Sequence, residues 1–235
     1  MRFWKPAAAV TVGALAVAWM GGRVPALAGD EAKLVPAPAV DVAKTVGPQT
    51  ATFAGGCFWG IQGVFEHVRG VTSAVSGYAG GTRDHPGYEQ VSTGTTGHAE
   101  TVKVTYDPLV VSYGQLLRIF FSVALDPTEL DRQGSDEGSQ YRSDLFVANT
   151  EQGRVARAYI AQLEAAHVWS DPIVTRVDQA GTFWPAEAYH QDYLTLHPDQ
   201  GYIASVDMPK VRALQAMFPA NWQATPVTVG RLAAE

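Results

Sequence analysis

The sequence predicts an α+β domain, a two-layer sandwich in which helices pack on a small mixed sheet. Three observations carry this. Apolar side chains make up 46% of the 235 residues, enough to bury a substantial core. Stretches of period two, such as Val102, Val104 and Tyr106 against Lys103 and Thr105, stand beside stretches at helical spacing, such as Val155, Tyr159, Leu163 and Ala166. Strands and helices mix without the strict alternation of a parallel β/α fold.

The elements follow in order. Thr50–Ala54 is a short strand ending in Gly55-Gly56, and Cys57 to His67 is helical. Thr72–Gly77 is a strand running into a glycine-rich loop, and Thr101–Tyr106 is a half-buried strand stopped by Asp107-Pro108. Ser112 caps a helix reaching about Val123, with Leu116, Leu117, Phe120 and Phe121 on its buried side. Asp126–Gln140 is a polar loop, Ser143–Ala148 a strand, Glu151–His167 a helix and Ile173–Val177 a strand. Ala186–Leu196 and Pro209–Met217 are expected to be helices. No internal repeat is visible. Eleven of the 23 glycines fall between Gly55 and Gly97, which points to a site built from tight loops there.

Residues 1–28 read as a secretory signal peptide, residues 29–49 as a proline-containing linker, residues 50–218 as the catalytic domain and residues 219–235 as a loose tail. The leader has Arg2 and Lys5 before an apolar run from Ala7 to Met20, and Ala26-Leu27-Ala28 supplies a small-x-small cleavage signal. That run is shorter than a spanning helix needs, so cleavage is expected over retention as an anchor, and the location expected is a bacterial periplasm. Without the leader, 14 basic side chains face 23 acidic ones, a net −9. Such a balance argues against nucleic-acid binding. No later apolar run is long enough to span a bilayer.

There is one cysteine. It excludes an internal disulfide framework and a multi-cysteine zinc site, and the six histidines contain no H-x-x-x-H pair. By itself a lone cysteine is most simply a small buried apolar side chain. Cys57, however, stands between Gly55-Gly56 and Phe58-Trp59 where a strand turns into a helix. Unpaired N–H groups and the dipole at that helix start favour thiolate, the nucleophilic form. Glu100 opens the alternating strand after Gly97, where burial would favour the neutral acid needed for proton donation. Tyr88, in a glycine-rich loop, and Asp136 and Tyr141, in a polar loop, have no role legible from either loop alone.

The motifs GGCFWG (55–60), GYAGG (77–81), HPGYEQV (85–91), TGHAE (96–100), VTYDP (104–108), DPT (126–128), RQGSDEGSQYRS (132–143) and HQDYL (190–194) together resemble the A-type peptide methionine sulfoxide reductases, which reduce the S epimer. The likeness covers roughly residues 50–203. It implies a ferredoxin-like two-layer fold and an activity that repairs oxidised methionine. Cys57 would be the nucleophile and Glu100 the acid that protonates the sulfoxide oxygen, with Tyr88 and Tyr141 sharing the charge on that oxygen. Phe58 and Trp59 would hold the ε-methyl group, and Asp136 the backbone of the methionine. No metal or organic cofactor is implied.

Four departures stand out. Ile203 follows Gly201-Tyr202, where many relatives carry a resolving cysteine, and Ser92 stands where some have another. Leu125 replaces a histidine before Asp-Pro-Thr, and Gln62 a glutamate after GCFWG. With one thiol, the oxidised Cys57 needs an external thiol: a thioredoxin-like protein, glutaredoxin or glutathione, or dithiothreitol in vitro. The partners expected are proteins bearing methionine sulfoxide, or the free sulfoxide, acted on by a monomer. Two other readings stay open: a secreted Cys-His hydrolase using His98, His85 or His190 as base, and a module that grips oxidised methionine without turnover.

Overall fold

The computed structural model describes Met1 and residues 32–232. The chain runs from β1 (Gln49–Ala54) through α1 (Phe58–Glu66), β2 (Val71–Ala79) and a single-turn α2 (Tyr88–Val91) to β3 (Ala99–Tyr106) and α3 (Tyr113–Ile119), which ends in a π-helical turn at Phe120–Ala124. A small hairpin, β4 (Arg132–Gln133) and β5 (Asp136–Glu137), leads through a 3-10 turn at Ser139–Tyr141 to β6 (Asp144–Val147), α4 (Thr150–Ala165), β7 (Arg176–Gln179) and β8 (Trp184–Pro185). After a 3-10 turn at Ala188–His190 come α5 (Tyr193–Leu196), a π turn at Ile203–Asp207, α6 (Met208–Met217) and α7 (Val229–Leu232).

One six-stranded sheet has the order β7-β6-β1-β3-β2-β8. Its centre, β6-β1-β3-β2, is antiparallel, and β6 pairs with β7 in parallel, so the sheet is mixed. Helices α1, α3 and α4 share one hydrophobic core with the sheet residues Phe53, Val102, Val104, Tyr106 and Leu145. This is the expected two-layer α+β fold, with the ferredoxin-like strand order at its centre.

The alternation along β3 decides a functional position. Val102, Val104 and Tyr106 are buried while Lys103 and Thr105 are half-buried. With a period of two, Glu100 lies on the same face as Val102, which carries its carboxyl under α1. Side chains fix α3 and α4 at their starts. Ser112 Oγ accepts the Gln115 N–H (3.2 Å) and Asn149 Oδ1 accepts the Gln152 N–H (2.9 Å).

Several expectations need correction. Residues 32–42 are not a loose linker. Val35 is buried, the Lys33 N–H bonds the Ser122 carbonyl (2.9 Å), the Tyr159 hydroxyl bonds the Pro36 carbonyl (2.7 Å), and Asp41 accepts the Gly114 N–H (2.8 Å). Pro36 and Pro38 lie in a strap that these contacts hold in place. The segment after residue 218 is also held. Trp222 forms a β-bridge with Val68 and stacks on His67 (4.5 Å), and Asp192 accepts the N–H groups of Val229 (2.9 Å) and Gly230 (3.1 Å).

The strand expected at Ile173–Val177 lies three residues later, at Arg176–Gln179, as a mostly exposed edge that β-propensity could not register. Residues 186–196 are not one helix: Asp192 has φ +57°, and the Gln191 amide bonds Ser76 and Ala186 instead of solvent. The leader, residues 1–28, lies outside the described residues beyond Met1. Among the described residues no helix is long and apolar enough to cross a membrane.

Candidate active site

The site forms where β1 ends. Gly56 has φ +92°, and a Cβ there would lie 2.7 Å from that of Gln133, so only glycine makes this turn. Cys57 is therefore thrown to the N-cap of α1, half-buried. The Gly56 N–H bonds the Tyr141 carbonyl (3.1 Å), tying the polar loop to the turn that carries Cys57.

Cys57, Phe58, Trp59, Tyr88, Glu100, Asp136 and Tyr141 line one cleft of about 400 Å³. All seven candidate residues thus meet, although they come from α1, α2, β3, the β4–β5 hairpin and the turn before β6. An eighth lining residue, Tyr202, was not among them, and its hydroxyl donates to Asp136. The GYI triplet marked only a missing cysteine in the sequence; nothing local showed that the tyrosine would face the cleft.

Glu100 is 2% exposed, and its Oε2 accepts the Phe58 N–H at 3.0 Å. Burial pushes its carboxyl up to about 8, against that N–H and helped by Asp136 and Asp207. It is therefore held as a neutral acid at pH 7, the form a proton donor needs. Burial also raises the Cys57 thiol, and the Glu100 and Asp207 carboxyls add to this. The Trp59 N–H and Lys210 oppose the rise without cancelling it, so the helix start alone does not make a resting thiolate, contrary to the simple dipole expectation. Tyr88 and Tyr141 are both raised, chiefly by burial and then by Glu100, and stay phenolic donors.

A further layer fixes these groups. Glu187 accepts the Tyr88 N–H and the Tyr78 hydroxyl, both at 2.9 Å, so one carboxylate ties the Tyr88 turn to β2. Buried Asp207 lies against Gly60 in the first turn of α1 and pairs with Lys210 at 3.3 Å. The departure at Gln62 is accommodated. Its amide donates to the Ala74 carbonyl (2.9 Å) and accepts from the Ser76 hydroxyl (2.9 Å) and the Asp192 N–H (3.0 Å), a pairing that needs both a donor and an acceptor. Leu125 packs against Gly55.

No histidine bonds Cys57. His98 is engaged by the Gly81 N–H (3.2 Å) and the Arg83 carbonyl (2.8 Å), His85 packs on Trp184 (4.2 Å), and His190 is bonded to Trp59 (3.1 Å). The hydrolase reading loses its base. Among the described residues no cluster of three potential ligands could hold a metal ion.

Residues 49–222 match the family model described as peptide methionine sulfoxide reductase. The chain belongs to that family. The reductase is 56% identical over 183 residues to the peptide methionine sulfoxide reductase MsrA 2 of Mesorhizobium japonicum, covering 78% of this chain and 94% of the relative. It is 46% identical over 190 residues to the MsrA 2 of Synechocystis, covering 79% and 89%. Among solved structures it resembles reduced Mxr1 from Saccharomyces cerevisiae, with a TM-score of 0.59 and 33% identity over 66% of this chain and 88% of that one. The reductase is an A-type enzyme, a peptide-methionine (S)-S-oxide reductase, which reduces methionine sulfoxide to methionine at the expense of thiols.

Proposed function

We propose that the seven cleft residues divide the reaction as follows. Phe58 and Trp59 receive the ε-methyl group, Asp136 accepts the backbone N–H of the oxidised methionine, and Tyr88 and Tyr141 donate to the sulfoxide oxygen. Glu100 protonates that oxygen while the Cys57 sulfur attacks the sulfoxide sulfur. The thiol proton goes to solvent before the attack, the S–O bond breaks, the protonated oxygen passes to Cys57, and Glu100 regains a proton from solvent, so that thiol plus sulfoxide gives sulfenic acid plus methionine. The observation that carries this is the neutral, buried Glu100 in the same cleft as the chain's one thiol.

Because there is no second cysteine, an external thiol condenses with the sulfenic acid, releasing water and leaving a mixed disulfide. A second thiol then frees Cys57. A thioredoxin-like protein of the cell envelope fits this step, since the basic-apolar leader suggests export to a periplasm, with a monomer acting on damaged proteins there.

The test is a single turnover without reductant on a peptide containing L-methionine-S-sulfoxide. About one methionine per protein and a dimedone-trappable oxygen on Cys57 are expected from one thiol acting once. Product without Cys57 modification, or binding without product, would refute the assignment. Recycling by a purified envelope thioredoxin, and the mass of the exported chain, test the reductant and the leader separately.

A further inference from the structure

Behind the Trp59 wall of the cleft lies His190, 2% exposed and off the cleft's own lining. Its Nδ1 lies 3.1 Å from the Trp59 indole nitrogen, and that indole nitrogen can only donate. A neutral imidazole that accepts at Nδ1 carries its proton on Nε2, so this contact fixes the tautomer. Among the described residues Nε2 has no partner, which leaves the bond to Trp59 as the ring's one hydrogen bond there.

The imidazole also touches the rings of Phe58 (5.1 Å), Trp59 (5.7 Å) and Tyr88 (4.5 Å), three residues of the cleft wall. Trp59 also stacks on Tyr193 at 3.9 Å and 12°. Stacking fixes the plane of an indole but lets it slide within that plane; an in-plane hydrogen bond removes the sliding.

His190 is itself well anchored. The next residue, Gln191, donates to the Ser76 and Ala186 carbonyls (2.9 and 3.0 Å) and accepts the Ser76 N–H (3.0 Å), which fastens this turn to β2. A rigid line therefore runs from the sheet through Gln191 and His190 to the edge of Trp59.

We infer that His190 is a positioning residue that sets the size of the ε-methyl pocket: by accepting the indole N–H it locks Trp59 in place, so that a methyl sulfoxide is accepted and a larger alkyl sulfoxide is not. The inference rests on the reading of Trp59 as the methyl wall.

The test compares kcat/KM for methionine-S-sulfoxide and ethionine-S-sulfoxide in the full chain, with dithiothreitol as reductant. Three variants are used. Trp59→Ala tests the wall itself. His190→Phe keeps a ring but removes the acceptor, and His190→Asn keeps an acceptor near the Nδ1 position but loses the ring. In His190→Phe the methyl-over-ethyl preference is expected to fall roughly 3–10-fold, the equivalent of one neutral hydrogen bond. His190→Asn is expected to keep most of the preference.

Equal losses in Phe and Asn, no loss in either, or a greater loss in Asn would each overturn the inference. An unchanged preference in Trp59→Ala would overturn the methyl-wall reading, and this inference with it. A second measurement needs no His190 variant. The long-range ¹H–¹⁵N spectrum of the native protein should show His190 protonated on Nε2 and bare on Nδ1, and the reverse tautomer overturns the inference.

Discussion

The Glu100 carboxyl, carried on the core face of a strand, accepts the backbone N–H of Phe58 at 3.0 Å. Phe58 is the residue directly after the one cysteine, at the first position of α1. One contact thus ties the Glu100 carboxyl to the start of the helix that Cys57 caps. Glu100 satisfies an N–H that the helix start leaves open, and stays protonated because burial outweighs that bond.

Replacing Cys57 with serine is expected to abolish product in a single-turnover assay, since a hydroxyl cannot form the sulfenic acid. Turnover comparable to the parent in Cys57→Ser would remove Cys57 from the reaction.

Glu100→Gln is expected to slow the sulfoxide step by roughly 10²–10⁴, the range for a general acid. The pH profile adds a check. Cys57 and Glu100 are both protonated at pH 7, and the productive state has lost one of the two protons. In the parent, kcat/KM should rise with pH through about 8, where the first proton leaves, and fall when the second leaves. The descending limb should vanish in Glu100→Gln, where only the thiol titrates; its persistence would place it elsewhere.

The same burial destabilises the fold. Glu100 has its carboxyl raised from 4.5 to about 8, chiefly by burial. Between these values the folded state holds a proton that the unfolded state has released, so stability falls as pH rises, by up to about 1.4 kcal/mol per pH unit. Glu100→Gln removes this loss while keeping an acceptor for the Phe58 N–H. Its Tm is expected to exceed the parent's at pH 8 and to converge toward it near pH 5. A constant difference across that range would mean that Glu100 is not protonated in the fold.

Tyr202→Phe removes the hydroxyl that donates to Asp136. If Asp136 binds the substrate backbone, KM for a peptide substrate is expected to rise roughly 3–10-fold with kcat nearly unchanged. A fall in kcat with constant KM would instead place Tyr202 at the reacting atoms.

Asp41 accepts the Gly114 N–H at 2.8 Å and the Ser112 hydroxyl, so it reinforces the start of α3 from the strap. Asp41→Ala is expected to cost about 1–2 kcal/mol in urea unfolding, the range for losing a helix cap. No change would show that residues 32–42 do not support α3.

The sequence by itself determined the strands with clear alternation and the capped helices, and its resemblance to a known family named the seven residues that line the cleft. Those signals are local: Val102, Val104 and Tyr106 alternate, Ser112 caps its own helix, and GGCFWG, TGHAE and QGSDEGSQYRS are contiguous. Tertiary structure decided what depends on partners far along the chain. The prolines of residues 36–48 looked like a linker until Ser122, Tyr159 and Gly114 were seen to hold the strap. Residues 186–196 looked helical by pattern, but Gln62, Ser76 and the C-terminal N–H groups draw the polar side chains of Gln191 and Asp192 out of that register. The contacts of Tyr202 and His190 were not legible in the sequence, because the residues they touch, Asp136 and Trp59, lie 66 and 131 residues away. The state of Cys57 was decided there too: a helix start favours thiolate, but burial beside Glu100 and Asp207 outweighs it, and burial is a property of the whole fold.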